Sequence, residues 1–177
     1  MTAQAMGEGG RRGFPWRILG WGGAAALLAL PAILRFPWDE TDFIVMGVLL
    51  GGVGIVLEAA VRLSKGSWAY RGGAAAALFV TFLTIWANLA VGMIGSEDNP
   101  YNLVFAGVIG IALLGGAAAL FRPGGLALAT GLAANAQAVA SLVGMATDLR
   151  GGIFSLFFAL PWLVAAALFR RAARDRV

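Results

Sequence analysis

The side chains able to do chemistry in this sequence are few, and most of them lie inside apolar runs. Glu58 stands four residues before Arg62, which puts carboxylate and guanidinium on one helical face within pairing reach. An ionised carboxylate in hydrocarbon is costly, so Glu58 is either balanced by Arg62 or takes up a proton or a cation. Asn88, Asn135 and Gln137 are amides within apolar runs. They can hydrogen-bond between helices, at roughly 0.6–2 kcal/mol each, or line a polar path for a small solute. Asn135 and Gln137 are two residues apart, about 200° around a helix, so they address different partners. These five residues form the candidate intramembrane polar site.

A second group follows at 96–102, SEDNPYN. Glu97, Asp98, Asn99 and Asn102 carry oxygens of the type a hard cation takes, although their spacing does not match an EF-hand. The plainer reading is an outer acidic loop that turns at Asn99-Pro100.

Other chemistry is excluded by what the sequence lacks. It has no His and no Cys, so imidazole or thiolate ligation, haem ligation by His and disulfides are ruled out. There is no P-loop, no Gly-x-Ser-x-Gly, no His-Glu-x-x-His and no carboxylate pair at depth. The expectation is a protein that is not an enzyme and carries no cofactor and no metal.

The elements that position these residues follow from composition. The 177 residues are 60% apolar and 12% charged, against about 45–50% and about 25% for a soluble domain. Mean hydropathy is +0.83. The lipid bilayer is the implied solvent. Apolar runs lie at about 18–36, 43–61, 72–94, 103–121, 125–146 and 152–169, each near the roughly 20 residues that cross a membrane as a helix. None alternates with a two-residue period, so strands are excluded. The expected fold class is an all-α membrane protein, a six-transmembrane-helix bundle built from three helical hairpins. A polar tail at 1–17 precedes the bundle at 18–169, and a basic tail at 170–177 follows it. Pro31 and Pro161 should kink the first and last spans, and no span carries a mid-membrane Gly-Pro break. The fifth run is the least apolar, diluted by Thr130, Asn135, Gln137 and Ser141.

Orientation follows the basic residues. Arg11, Arg12, Arg17, Arg62, Lys65, Arg71, Arg122, Arg170, Arg171, Arg174 and Arg176 fall on one side, and only Arg35 and Arg150 on the other. Both termini are therefore expected in the cytoplasm, in a multi-pass protein of a bacterial inner membrane. The net charge of +4 is used up as membrane anchors, which leaves no basic face for nucleic acid. Trp16, Trp38, Trp68, Tyr70 and Tyr101 fall at water boundaries, as an aromatic belt would.

Packing faces are also legible. Gly47, Gly51, Gly54, Glu58 and Arg62 share one face of the second span, and Ala77, Thr81, Thr84, Asn88, Gly92 and Gly95 share one face of the third. The expectation is that these small faces meet, because small residues let backbones approach in lipid. Phe79, Phe82, Trp86 and Met93 would then face outward. The leading functional expectation is a structural or accessory component of a membrane complex. The alternative is an oligomeric permease-like carrier or channel for a small solute or ion. The implied partners are lipid and either a second copy of the chain or another membrane subunit.

Overall fold

The computed structural model describes residues 16–175, which form seven α-helices and one 3-10 turn with no strand among them. They are α1 (Trp16–Ile33), α2 (Glu40–Leu63), α3 (Trp68–Ala90), the 3-10 turn (Pro100–Asn102), α4 (Leu103–Ala118), α5 (Pro123–Gly144), α6 (Leu149–Leu156) and α7 (Ala159–Arg174). Five stretches are long and apolar enough to cross a membrane: Glu40–Leu63, Trp68–Ala90, Pro100–Ala118, Pro123–Gly144 and Leu149–Arg174. The first apolar helix is shorter, Arg17–Ile33. Of the expected polar tail, residues 1–15 lie outside the described residues. The expected basic tail begins as helix, since α7 runs on to Arg174. By contacts the chain divides into two compact units, Met1–Gly54 and Ile55–Val177.

In the first unit, the start of α2 is fixed by local chemistry. Asp39 and Asp42 accept each other's backbone N–H, at 3.0 and 3.1 Å, as a reciprocal capping pair. Trp38 packs edge-on to Phe43, centroids 5.3 Å apart, across the same cap. Glu40 and Asp42 put negative charge in the first turn, where the helix dipole favours it. The neighbours of the glycine face on α2 come from α1. A Cβ at Gly47 would touch Leu28, and one at Gly54 would strike the Trp21 ring at 2.7 Å. A Cβ at Gly51 would meet nothing within 4 Å. Within this unit the face therefore meets α1, because a short turn folds α1 back along α2.

The second unit is organised around α5. This helix packs against α4, α6 and α7, while α3 packs on α7. The run that is least apolar in sequence is therefore the most enclosed. Its alanines and glycines let α4, α6 and α7 approach closely, and Thr130, Gln137 and Ser141 bond inside the protein. Sequence-adjacent hairpins are not the rule here, since α3 makes few contacts with α4 and takes α7 instead. The contact is close: a Cβ at Gly73 would meet the Phe169 ring at 3.0 Å. Trp162, Phe105, Val80 and Val108 fill the core between these helices and are almost completely buried.

Two stretches depart from the sequence expectation. The third apolar run does not continue as helix to residue 94. It stops at Ala90, because Gly92 (φ +75°) and Gly95 (φ +71°) take the left-handed conformation. A Cβ at Gly92 would lie 2.5 Å from the Ser96 carbonyl group, so Gly92 serves this turn and not a helix–helix contact. Met93, expected on an outward face, is 1% exposed, and Ile94 is fully buried. The chain thus tucks these two residues under the bundle before it emerges. The sixth apolar run is likewise not one kinked helix but two. Pro161 has no N–H to donate, and its ring excludes the carbonyl four residues back. The chain passes Phe157-Phe158 by tighter bonds, Phe158 N–H to Ser155 O and Leu160 N–H to Phe157 O, both 3.1 Å.

The contacts also define the two ends of this unit. At one end Tyr70 donates to the Phe121 carbonyl (3.0 Å) and meets Phe169 edge-on. That bond pins a turn in which Leu120 and Phe121 both take positive φ, a conformation costly for residues with a Cβ. At the other end Tyr101 donates to the Ala140 carbonyl at 2.7 Å. Tyr70 and Tyr101 are therefore interhelical struts, while Trp68 is exposed as a belt residue would be.

Candidate functional site

At the second end of this unit the stretch 91–99 is held largely by side chains, because its backbone has no helix or sheet to satisfy it. Asn102 accepts the Ile94 N–H (2.9 Å) and donates to the Ser96 carbonyl (2.8 Å). Asn99 accepts the Tyr101 N–H and donates to the Ile94 carbonyl, both at 3.0 Å. Asp148 caps α6 by accepting the Gly151 N–H at 3.0 Å, and its other oxygen accepts the Gly95 N–H at 2.9 Å. These amide bonds, led by Gly151 and then Gly95, hold the Asp148 carboxyl below its ordinary pKa against a smaller opposing effect of burial. Ser155, fully buried, donates its hydroxyl to the Met93 carbonyl at 3.0 Å. The Ser155 carbonyl lies at the α6–α7 break and accepts the amide N–H of Gln137 at 2.9 Å.

Asn99 and Asn102 thus commit their oxygens to backbone N–H groups. Glu97 and Asp98 are exposed. Among the described residues no three His, Cys, Asp or Glu come together as a set that could hold a metal ion. A groove of about 390 Å³ is nonetheless lined by Asn88 together with Glu97, Asp98, Asn99 and Asn102, so the fold gathers one amide of the intramembrane group with the whole acidic loop. Asn88 donates to the Thr84 carbonyl at 2.8 Å, and its buried Oδ1 has no protein partner.

The other candidates are dispersed. Gln137 is fully buried, and its Oε1 has no protein partner. Trp162 Nε1, in the same core, also lacks one. Asn135 faces outward, as the 200° offset requires, and donates back to the Gly131 carbonyl at 2.9 Å. Glu58 and Arg62 approach to 3.8 Å, with the Arg62 side chain 77% exposed and Glu58 17%. A guanidinium that exposed loses little when its partner is removed. Gly47, Gly51 and Gly54 lie in the other unit, and the carbonyls that Thr81, Thr84, Thr130 and Ser141 take are all four residues back on their own helices.

Asp148 and Ser155 are not among the candidate residues read from the sequence, where Tyr101 counts only as an aromatic-belt residue. Asp148 followed by Leu-Arg-Gly-Gly has the form of a helix N-cap. Nothing local marks Ser155 or Tyr101, whose partners are 62 and 39 residues away.

The class that this fold defines is an all-helical chain whose five long apolar helices point to a multi-pass membrane protein. Neither a protein-family model, nor a curated protein, nor a solved structure matches the chain.

Proposed function

We propose that this protein is a structural or accessory component of a membrane complex. It would cross a bacterial inner membrane six times, with both termini in the cytoplasm. The observation that carries the reading is the committed interior of the 55–177 unit. No charged side chain is buried among the described residues. The buried hydroxyls of Thr84, Thr130 and Ser141 are bonded to their own helices, and that of Ser155 to the Met93 carbonyl. Trp162 and Phe105 are fully buried in the same core. A carrier has to offer a solute polar groups that are free to change partners; among the described buried side chains only Asn88 Oδ1, Gln137 Oε1 and Trp162 Nε1 lack a protein partner.

The orientation is supported by the sorting of charge in the same unit. Lys65, Arg71, Arg122, Arg170, Arg171 and Arg174 belong to the end marked by Tyr70 and Phe121, whereas Glu97, Asp98 and Asp148 belong to the end marked by Tyr101. Arg150 is the basic residue at the latter end.

A second reading, a carrier or channel for a small solute or ion, rests on one feature. Two interrupted backbone segments, 92–95 and 157–158, meet at Ser155 beside Gln137. The break lies about 12 Å along the helix from Leu149, and transporters bind substrate at interrupted helices.

Affinity purification in mild detergent with mass spectrometry separates the two. The accessory reading expects a reproducible partner subunit. A homo-oligomer that alone changes ion or solute flux in liposomes would replace it with the carrier reading. Reporters fused after Val177 and inserted at Asp98 should read cytoplasmic and periplasmic; the opposite result would overturn the six-span topology.

A further inference from the structure

A groove of about 810 Å³ runs between α5 and α7. Small residues such as Gly131 and Ala166 line it together with leucines, its deep end is at Asn135 and Leu163, and its mouth carries Arg170, Arg171 and Arg174 with Asp175. From the groove we infer a binding site for a single anionic phospholipid, with its phosphate on Arg170 and Arg174 and an acyl chain along the groove.

Length decides what fits. From Leu163 to Arg174 the helix rises about 16 Å, close to half of the roughly 30 Å hydrocarbon core. A groove one leaflet long suits a lipid chain. A transmembrane helix would need a face running the whole thickness. Charge decides which lipid. Arg170 and Arg174 are four residues apart, so their side chains emerge on one face roughly 5–6 Å from each other. One phosphodiester can accept from both guanidinium groups. Arg171 is occupied differently, since its guanidinium lies over the Trp68 ring at 4.8 Å. Asp175 reduces the net charge of the mouth but leaves it positive. Arginines at a helix C-terminus are favourable to the dipole without any ligand. That accounts for the charges but not for a leaflet-long apolar channel of small residues and leucines leading down from them, and basic pockets between helices are where anionic headgroups bind.

The test uses the full chain in detergent micelles, with equal amounts of phosphatidylglycerol and phosphatidylcholine of matched acyl chains and retained lipid read by native mass spectrometry. Phosphatidylglycerol should be retained in preference. Arg170→Gln and Arg174→Gln should each lower its retention about fivefold, and Arg150→Gln, at the other end of the unit, should not. Ala167→Phe keeps every charge but fills the groove, and should lower retention as well. Glycerol 3-phosphate, which has no acyl chain, should fail to displace the bound lipid. Equal retention of both lipids, or full retention by Ala167→Phe with unchanged helical circular dichroism, overturns the proposal. Displacement by glycerol 3-phosphate also overturns it, leaving a plain anion site. If Ala167→Phe does not fold, the two arginine variants decide.

Discussion

Ser155 donates its hydroxyl to the carbonyl of Met93 at 3.0 Å, joining the broken last span to a buried non-helical segment 62 residues earlier. Both groups are buried, so the Met93 carbonyl has no water to turn to when the hydroxyl is removed. Ser155→Ala should therefore cost about 1–3 kcal/mol, the penalty of an unsatisfied buried acceptor. Reversible unfolding in mixed micelles measures it. A cost below about 0.5 kcal/mol would mean that the segment 91–95 shifts to find another donor.

Asp148 predicts a pH dependence. Its pKa is lowered in the folded protein, chiefly by the amides of Gly151 and Gly95. The folded state therefore binds this proton less readily than the unfolded chain, and the carboxylate contributes stability above the unfolded value. That contribution is lost as pH falls through the lower folded value. The Gly95 and Gly151 amide resonances should thus titrate below the ordinary carboxylate pKa of about 3.9. Asp148→Asn can still accept one N–H but not both through carboxylate oxygens, and should loosen Gly95 without unfolding α6. Titration of the Gly95 amide at or above the ordinary value would contradict the assignment.

How far the fold could be read from the chain depends on the range of the forces involved. The five long apolar helices and the offset of Asn135 from Gln137 are local or periodic, and both are legible. The capping pair Asp39–Asp42 is equally local. The end of α3 at Ala90 was not legible, because a run that reads WANLAVGMIG stays apolar past the point where Gly92 turns. Whether Met93 faces lipid or core depends on Ser155 and Asp148, which are distant in sequence. The central place of α5 was misleading in composition: burial by other helices removes the need for bulky apolar side chains.

Glycines on α4 allow a controlled comparison. A Cβ at Gly115 would lie 2.8 Å from the Ala129 Cβ, whereas one at Gly107 meets nothing within 4 Å. The Ala129 methyl cannot rotate away, so Gly115→Ala must push α4 off α5. We expect a loss of about 1–3 kcal/mol from overpacking. Gly107→Ala should be neutral or stabilising by up to about 1 kcal/mol, since it only removes backbone freedom from the unfolded chain. Equal effects in thermal unfolding would show that α4 and α5 are not in the close contact described.

Gln137 gives the sharpest contrast between side-chain shape and side-chain polarity. Its amide N–H bonds the Ser155 carbonyl at 2.9 Å, while its Oε1 is buried without a protein partner. The Ser155 carbonyl keeps a second donor, the Phe158 N–H at 3.1 Å. Gln137→Met removes one hydrogen bond and one unpartnered acceptor while conserving most of the volume. Those effects oppose each other, and the net change should stay within about 1 kcal/mol. Gln137→Ala removes the same polar groups but leaves a void beside Ser155, and should cost about 2–4 kcal/mol by analogy with other large-to-small core changes. Both variants also free the α6–α7 break from α5, so amide exchange at Phe157 to Leu160 should quicken in each. A large cost for Gln137→Met would show that the amide at this break is needed for the fold itself. Unchanged exchange at Phe157 to Leu160 would show that Gln137 does not hold the break.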